Sequence, residues 1–399
     1  MYHGCDECFE ANTFNPVCQT MNYTLLWRTN QRVKFLKKFL PDFEFIELWE
    51  HDFDRECVEN EDLKKFLKAY EFCESLDPRA CLFGGRTNAL ILYYLCKPHE
   101  KIFYYDFCSL YPYVMKYGIY PYGHPIIISE NFDYSKQYFG VIKCRILPPE
   151  GLYLPVLPLN INNKLIFTLC RKCAEEGNKE LECNHCSDDR ALEGTWISLE
   201  IDKAIEKGYK IIKYHQIWHF ENKTQYDPQT KRGGLFSGYV NFNLKGKAEA
   251  SGFPAACTTD QQKDQFIEEF LEKEGVKLDK DNIIFDSGQR TDRKDKLNCL
   301  WGFFGLNPEK TFFKILYKPE ELDYLMDDDQ YDIQHIDFCD EDFIQVNYSL
   351  KKEYAFGSCN TNVIIAAFTT CLARLKLYNE LEKLGKNVLY FDTGKHIYF

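Results

Sequence analysis

The sequence lacks several features that define common classes of protein. It contains no run of about 18 apolar residues, so we expect no transmembrane helix and no membrane partner. Its opening letters, MYHGCDECFE, show no basic stretch followed by an apolar run, so no signal peptide is visible. Positive charge is not in excess, because 49 Lys and Arg face 61 Asp and Glu. The net charge of −12 argues against a protein that simply coats nucleic acid.

What the sequence contains is sufficient for a folded protein. Its 399 residues allow two or three domains, and its 45% hydrophobic and 16% aromatic residues can fill their cores. The 18 cysteines, without a secretory signal, predict reduced thiols in an intracellular compartment, for which we favour the nucleus over the cytosol.

Helix-like and strand-like segments follow one another without the regular order of a doubly wound sheet. Helical patterns cover residues 25–40, 61–75, 262–274, 288–303 and 361–383, and strand-like patterns cover 43–50, 101–107 and 388–392. We expect the strand at 101–107 to be buried. The mixture predicts an α+β fold.

The first segment with chemical potential is DFCSLYP, at 106–112. The predicted strand ends at Asp106, and Ser109 could cap a short helix. A carboxylate at a strand end that faces a cleft is a natural ligand for Mg²⁺. The plainer interpretation makes this aspartate a turn or cap residue.

The second segment is RTDRKDKLNCLWGFFG, at 290–305. Helical spacing places four side chains on one stripe, namely Arg290, Lys294, Asn298 and Trp301. Two cations, an amide and an aromatic ring on one face suit a nucleoside triphosphate, whose phosphates would meet the cations. The plainer interpretation is a solvated basic face beside a core tryptophan.

The third segment is YFDTGKHIYF, at 390–399. Two apolar runs flank the letters DTGK, which predicts a hairpin turn at 392–395. Asp-Thr-Gly alone also resembles the signature of aspartic proteases. That mechanism needs two such carboxylates, so a homodimer would have to supply the second copy.

In their order and spacing, these segments resemble motifs A, B and C of family B DNA polymerases, which read DxxSLYP, KxxxNSxYG and YxDTDS. The match is closest to the protein-primed branch, and within it to polymerases of Polinton (Maverick) transposons. Further segments agree with that branch, including DPRACLFGGRT at 77–87 and GTWISLEIDKAIEKGY at 194–209. The resemblance covers roughly residues 76–399, with a looser match upstream.

The resemblance implies a role for each matching residue. It implies catalytic carboxylates at Asp106 and Asp392, which would lie side by side and bind Mg²⁺ together with the carbonyl of Phe107. It places Tyr111 beneath the incoming sugar. It implies triphosphate contacts from Arg290 and Lys294 with Asn298 nearby, and template contacts from Gly84, Gly85 and Arg86, although Leu82 replaces the tyrosine of that family segment.

One departure from the family pattern bears on activity. The second aspartate of YxDTDS, the more direct metal ligand, is Gly394 here. Smaller departures are Cys299 for the serine of motif B and Phe303 for a common lysine. The resemblance therefore implies a DNA-directed DNA polymerase with a weakened two-Mg²⁺ site, acting with template, primer, dNTP and a terminal protein as primer. The alternative is an inactive remnant that binds DNA or replication proteins.

The resemblance also implies a domain layout. Residues 1–58 resemble the tail of a nuclease-like module, 59–76 form a helical linker, and 77–399 form palm and fingers. Within them, 130–255 resemble the terminal-protein-contacting insertion and contain a cysteine-rich insert at 170–186. We expect the chain to be a truncated copy that lacks the thumb and the exonuclease.

Cysteine spacing predicts a zinc site in that insert. The pairs Cys170/Cys173 and Cys183/Cys186 have the spacing of a zinc ribbon, with His185 competing for the place of Cys186. The alternative is a set of reduced surface thiols. Near the start of the chain, four residues could also bind a metal, although simple burial or exposure is the preferred interpretation for them: His3, Cys5, Cys8 and Cys18.

Overall fold

The computed structural model of the chain describes residues 4–15, 18–41, 43–69, 75–178, 183–307, 310–338, 342–351 and 361–399. The chain divides into two compact units, residues 1–74 and 75–399. Within the described ranges, no helix combines the length and the apolar character needed to cross a bilayer.

The described part of the first unit is helical, with one short antiparallel strand pair. Its elements are β1 (Phe14–Asn15), β2 (Thr20–Met21), α1 (Asn22–Phe39), α2 (Glu50–Glu59) and α3 (Glu61–Ala69). The helix predicted at 25–40 is confirmed as α1. The helix predicted at 61–75 is confirmed over α3, which ends at Ala69, and residues 70–74 lie outside the described part of the chain.

The strand predicted at 43–50 is wrong. Residues 44–49 are neither helical nor paired with a strand, and Glu50 begins α2. A strand is stabilised by a hydrogen-bonded neighbour and by burial of one face. Neither is present here, since Phe43 is 72% exposed and Ile46 is 80% exposed.

The second unit mixes helices with short antiparallel sheets. Its first strands are β3 (Thr87–Ala89), β4 (Phe103–Asp106), β5 (Tyr120–Pro121), β6 (Ile126–Ile128), β7 (Gly140–Leu147), β8 (Pro158–Ile161), β9 (Lys164–Phe167), β10 (Leu192–Ile197), β11 (Lys210–His219) and β12 (Lys223–Thr224). Later strands are β13 (Phe312–Leu316), β14 (Tyr331–Phe338), β15 (Ile344–Leu350), β16 (Val388–Asp392) and β17 (Lys395–Tyr398).

The helices of the second unit include all three that the pattern predicts there. They are α4 (Leu110–Tyr117), α5 (Arg171–Glu176), α6 (Ser187–Arg190), α7 (Ser198–Glu206), α8 (Ser237–Glu249), α9 (Asp260–Glu274), α10 (Ser287–Phe304), α11 (Pro319–Asp327) and α12 (Val363–Leu384). The predictions at 262–274, 288–303 and 361–383 are confirmed as α9, α10 and α12. The mixed α+β class is likewise confirmed.

A four-stranded antiparallel sheet, in the order β3-β16-β17-β4, carries two of the predicted site residues. The strand predicted at 388–392 is confirmed as β16, and the predicted hairpin turn joins it to β17. The strand predicted at 101–107 is confirmed as β4, but its predicted burial is wrong. All four residues of β4 are exposed, because the strand lies at the edge of the sheet.

Helix α12 lies in the core of the second unit. It begins where the side chain of Asn362 accepts a hydrogen bond from the backbone N–H of Ile365, and most of its residues from 365 to 381 are buried. Leu377 shares a buried cluster with Phe391 of β16 and Trp196 of β10. The helix therefore packs against the strand that carries Asp392.

A buried ion pair connects this helix with the loop before β3. Arg374 of α12 donates to both carboxylate oxygens of Glu200 on α7, at 2.7 and 2.9 Å, and only 3% and 1% of the two residues is exposed. The same guanidinium donates to the carbonyls of Phe83 and Gly84, at 2.7 and 2.9 Å. Because a buried charge needs partners on every side, this network fixes the loop at 83–85.

Candidate functional site

The sheet places the two predicted catalytic carboxylates in one row. Asp106 ends β4, Asp392 ends β16, and each is paired in register with Lys395 of β17. Opposed residues of antiparallel strands project from the same face. Two strand spacings separate the backbones of the aspartates by about 10 Å. Lys395 of β17 therefore occupies the register position between them, and the expectation that the two carboxylates lie side by side stays a prediction.

The turn residue Gly394 lies closer to Asp106 than Asp392 does in this register. Its carbonyl accepts a hydrogen bond of 2.8 Å from the N–H of Phe107. A Cβ added at Gly394 would be 3.6 Å from Oδ1 of Asp106 and 3.7 Å from Cβ of Leu110. These are ordinary contacts, so an aspartate at position 394 would fit and would place its carboxylate beside that of Asp106.

The hairpin turn is also fixed from the other side, by the loop at 84–86. The N–H of Thr393 donates to the carbonyl of Arg86 at 2.9 Å, and its hydroxyl contacts Oδ1 of Asp392 at 3.0 Å. A Cβ added at Gly85 would be 2.5 Å from Oγ1 of Thr393. Close approach of the two loops thus requires a glycine at 85.

Tyr111 of α4 packs against helix α10. Its ring stacks on that of Trp301, with centroids 4.7 Å apart and planes inclined by 18°. Burial raises the pKa of the Tyr111 hydroxyl, Arg374 opposes this effect, and the negative charge of Asp392 adds to it. The stripe that the sequence predicts on α10 therefore faces α4 through Trp301.

Basic side chains gather at the other end of that stripe. Arg290 and Lys294 are exposed, and their positive charges add to the effect of burial in lowering the pKa of Lys247 on α8. The thiol of Cys108 acts on that pKa in the opposite direction, which places Lys247 within electrostatic reach of the loop after β4. We call Lys247, Arg290 and Lys294 the cationic cluster.

Lys247 is a site candidate that the sequence did not identify. It belongs to FNLKGKAEASG, at 242–252, where basic residues occur without a spacing that singles one out. Only the packing of α8 against α10 brings it to the two predicted cations. Three neighbouring cations, of which Lys247 is partly buried, form a suitable environment for phosphate oxygens.

The predicted template contact of Arg86 disagrees with its placement. The residue is 3% exposed, and its guanidinium lies over the ring of Phe167, 4.1 Å from the centroid, and near those of Tyr378 and Phe391. Burial lowers its pKa to about 10. Because aromatic rings enclose the charge, the side chain cannot reach a strand in solvent, whereas Gly84 is exposed.

The residues present fit a site for Mg²⁺ only in part. A hard divalent cation prefers several oxygen ligands within about 2–2.6 Å. Asp106 and the carbonyl of Phe107 are suitable donors, but Asp392 lies across β17 and position 394 offers no side chain. Among the described residues, the groups of three or more potential ligands around one point do not include Asp106 or Asp392.

The cysteine-rich insert gathers four potential ligands. The thiols of Cys170, Cys173 and Cys183 and Nδ1 of His185 all lie within 4.8 Å of one another. Nδ1 is 3.5, 3.2 and 3.6 Å from the three sulfurs in that order. Tetrahedral zinc with thiolate and imidazole ligands requires separations of about 3.5–3.8 Å, so the donor set fits zinc.

The fourth predicted ligand, Cys186, is wrong. Its thiol donates instead to Oδ2 of Asp189, at 3.2 Å. Cys186 is the residue immediately before α6, so its side chain points along that helix, while His185 points back towards the three sulfurs. The competing interpretation, in which His185 takes this place, agrees with the structure.

Two of three comparisons with known proteins give a match. The family model described as DNA polymerase type B, organellar and viral, matches residues 61–254. No curated protein matches the chain. Among solved structures, the chain is similar to phi29 DNA polymerase.

In complex with primer-template DNA and incoming nucleotide, that polymerase matches with a TM-score of 0.46 and 15% identity, covering 98% of this chain and 56% of the other. Its complex with single-stranded DNA matches with a TM-score of 0.44 and 15% identity, covering 97% of this chain and 53% of the polymerase chain. Its post-translocation complex with primer-template DNA matches with a TM-score of 0.44 and 16% identity, covering 80% of this chain and 41% of the polymerase chain. The chain thus spans about half the length of these polymerase chains.

Proposed function

We propose that this chain is the palm and fingers of a protein-primed type B DNA polymerase of the Polinton transposon type. Its ancestral reaction is template-directed transfer of a deoxynucleotide to a primer. The observation that carries the proposal is the position of Asp106 beside the 393–394 turn, with Tyr111 and the stripe of α10 on the adjoining side. The family match at 61–254 supports it, although it ends before motifs B and C.

The residues of this chain would divide the work in a simple way. Asp106 and the carbonyl of Phe107 would hold Mg²⁺, which, when bound, activates the primer hydroxyl and neutralises phosphate charge. The cationic cluster would bind the triphosphate of the incoming dNTP. The Tyr111 ring, held by Trp301, would form the floor beneath the sugar.

We further propose that Gly394 impairs this copy. Without a second carboxylate beside Asp106, one ligand for the metal is missing, and Lys395 brings a positive charge into the same row. Loss of a group that stabilises developing charge costs about 10²–10³ in rate, by analogy with oxyanion donors. Residual activity should therefore be slow and dependent on the Asp106 carboxylate.

Primer extension on a labelled primer-template with Mg²⁺ or Mn²⁺ tests both proposals. We expect slow, template-directed incorporation that Asp106→Ala abolishes and that Lys296→Ala, a surface control on α10, leaves intact. Incorporation at ordinary polymerase rates, lost in Asp106→Ala, would refute the impairment. Incorporation that persists in Asp106→Ala would refute the assigned site.

A second candidate function is an inactive remnant that binds DNA or replication proteins. The missing carboxylate at position 394 favours this function, because DNA binding needs the cationic cluster but no metal ligand. Under this alternative no incorporation occurs with either metal, while fluorescence anisotropy still detects binding to primer-template DNA. Absence of both activities would exclude both candidates.

The terminal protein would dock on the region at 130–255, and the Cys/His site of the insert would stabilise that region. A pull-down tests this partner. It compares how much terminal protein, from a protein-primed replication system, is captured by the full chain and by its Cys173→Ser variant. We expect capture by the unaltered chain and weaker capture by the variant. No capture by either chain would contradict the assignment.

In the same proposal, residues 1–58 are the remnant of the nuclease-like module.

A further inference from the structure

A second group of metal-type ligands lies in the first unit. The thiols of Cys5 and Cys8 and Nδ1 of His51 lie within 4.8 Å of one another, and each sulfur is 3.5 Å from that nitrogen. Both cysteines are free thiols. The separations match those of the Cys/His cluster in the insert and those that tetrahedral zinc requires.

The loop that carries the two thiols is held in place by the protein itself. Asn22 is 4% exposed, and its amide donates to the carbonyls of Cys5 and Phe9, both at 3.0 Å. Gly4 has a φ of +75°, and a Cβ there would be 2.2 Å from the backbone N of Leu26. The backbone thus forms a tight knuckle that presents both sulfurs to one point.

Two carboxylates lie close to the second ring nitrogen of His51. This atom, Nε2, is 3.1 Å from Oε2 of Glu7 and 3.4 Å from Oδ1 of Asp52. The negative charge of these carboxylates favours the N–H on Nε2, which leaves the lone pair on Nδ1, the atom that faces the thiols. Carboxylates near the second nitrogen are common for histidine ligands of metals.

The described part of the first unit has little else to stabilise it. Among its described residues, the buried hydrophobic side chains are those of Cys5 and Leu25, whereas Trp27 is 61% exposed. Small folds with so little buried apolar surface usually depend on a metal or on disulfides, and metal binding then supplies free energy of folding.

We propose that Cys5, Cys8 and His51 bind one zinc ion, which joins the loop at 5–9 to helix α2. Within the described residues no fourth His, Cys, Asp or Glu joins these three, so the fourth position is left to a ligand from outside this set. Cys18, a further candidate from the sequence, is not in the group, and His3 lies outside the described residues. The cluster borders a cavity of about 760 Å³, which gives such a ligand access.

Zinc analysis of the purified full chain tests the proposal independently of any polymerase activity. The variant pair Cys170→Ser/Cys173→Ser removes the insert site, so zinc that it retains reports on the first unit. We expect about one zinc per chain in this variant and none after Cys5→Ser/Cys8→Ser is added. The control Cys18→Ser/Cys57→Ser, in the same unit, should leave zinc unchanged. Retention of zinc after loss of Cys5 and Cys8, or none in the insert variant, would overturn the assignment.

Because the cysteine variants could unfold the first unit, a second measurement uses intact ligands. Cobalt(II) added to the metal-free insert variant should give the intense thiolate charge-transfer and d–d bands of a tetrahedral site. His51→Gln should weaken Co²⁺ binding by at least about tenfold, as expected for loss of a ligand. A spectrum of octahedral cobalt without thiolate bands would contradict the proposal.

Discussion

At the scale of single residues, position 394 controls what the proposed site can do. The turn accepts an aspartate there, because the nearest atoms to an added Cβ are 3.6 Å away and Thr393, not Gly394, has the left-handed φ of 55°. The glycine is therefore not required by the backbone. Its absence of a side chain is a chemical difference from the family motif.

We predict that Gly394→Asp raises Mg²⁺-dependent primer extension by at least about 10²-fold, because it restores a carboxylate beside Asp106. Gly394→Asn, which has the same shape without the charge, should give no increase. Single-nucleotide incorporation rates measure the effect. Equal rates in the glycine and aspartate forms would exclude position 394 as the cause of impairment.

Gly85 is a different kind of glycine. Because a Cβ at this position would approach Oγ1 of Thr393 to 2.5 Å, we predict that Gly85→Ala lowers the free energy of unfolding by about 1–3 kcal/mol. Gly238→Ala, in helix α8 with no atom within 4 Å of the added Cβ, should be neutral or slightly stabilising. Chemical denaturation measures the free energy of unfolding of both variants. Equal changes in the two variants would contradict the prediction.

At the scale of elements, α12, α7 and the loop at 83–85 depend on one ion pair. We predict that Arg374→Met costs about 3–5 kcal/mol of unfolding free energy, since Glu200 and two carbonyls lose their buried partner. Lys383→Met, which removes an exposed pair with Glu380 on the same helix, should cost at most about 0.5 kcal/mol. Similar losses of unfolding free energy in the two variants would contradict the stabilising role of the buried network.

The insert offers a second test at this scale. His185→Ala should remove the zinc of the insert, while Cys186→Ala should retain it, because the Cys186 thiol bonds to Asp189 instead. Zinc content of the two variants in the Cys5→Ser/Cys8→Ser background isolates this site. Loss of zinc with Cys186→Ala alone would restore the ligand set predicted from the ribbon spacing.

At the scale of the whole molecule, charge is unevenly distributed. A net charge of −12 opposes the approach of nucleotides and DNA, so binding must rely on local cations. The cationic cluster is one such place, whereas Lys296 on the same helix is paired with Asp292 at 2.7 Å.

We predict that Lys294→Ala and Lys247→Ala each weaken dNTP binding about 5- to 50-fold, as expected for a charge-assisted contact of about 1–2.5 kcal/mol. Lys296→Ala should change it less than twofold. Equilibrium titration with a fluorescent dNTP, repeated at higher salt, measures both the loss and its screening. Equal affinities for the dNTP in all variants would show that the cationic cluster does not bind the triphosphate.

The sequence by itself determined much of the local structure and the residue types of the candidate sites. Apolar periodicity predicts α1, α9, α10 and α12, and the DTGK letters predict the hairpin. These features depend on neighbours within a few positions, which the sequence displays directly. The same local reasoning failed for residues 43–50, where the apolar pattern finds no partner strand.

Only the tertiary structure decided which side chains meet. The register of β4 against β17 placed Lys395 between Asp106 and Asp392, and packing against aromatic rings buried Arg86. Folding also chose His185 over Cys186 and brought His51 to Cys5 and Cys8. Each outcome depends on strand pairing or packing between segments far apart in the chain, and the direction of a side chain there is set by the partner surface and not by adjacent residues.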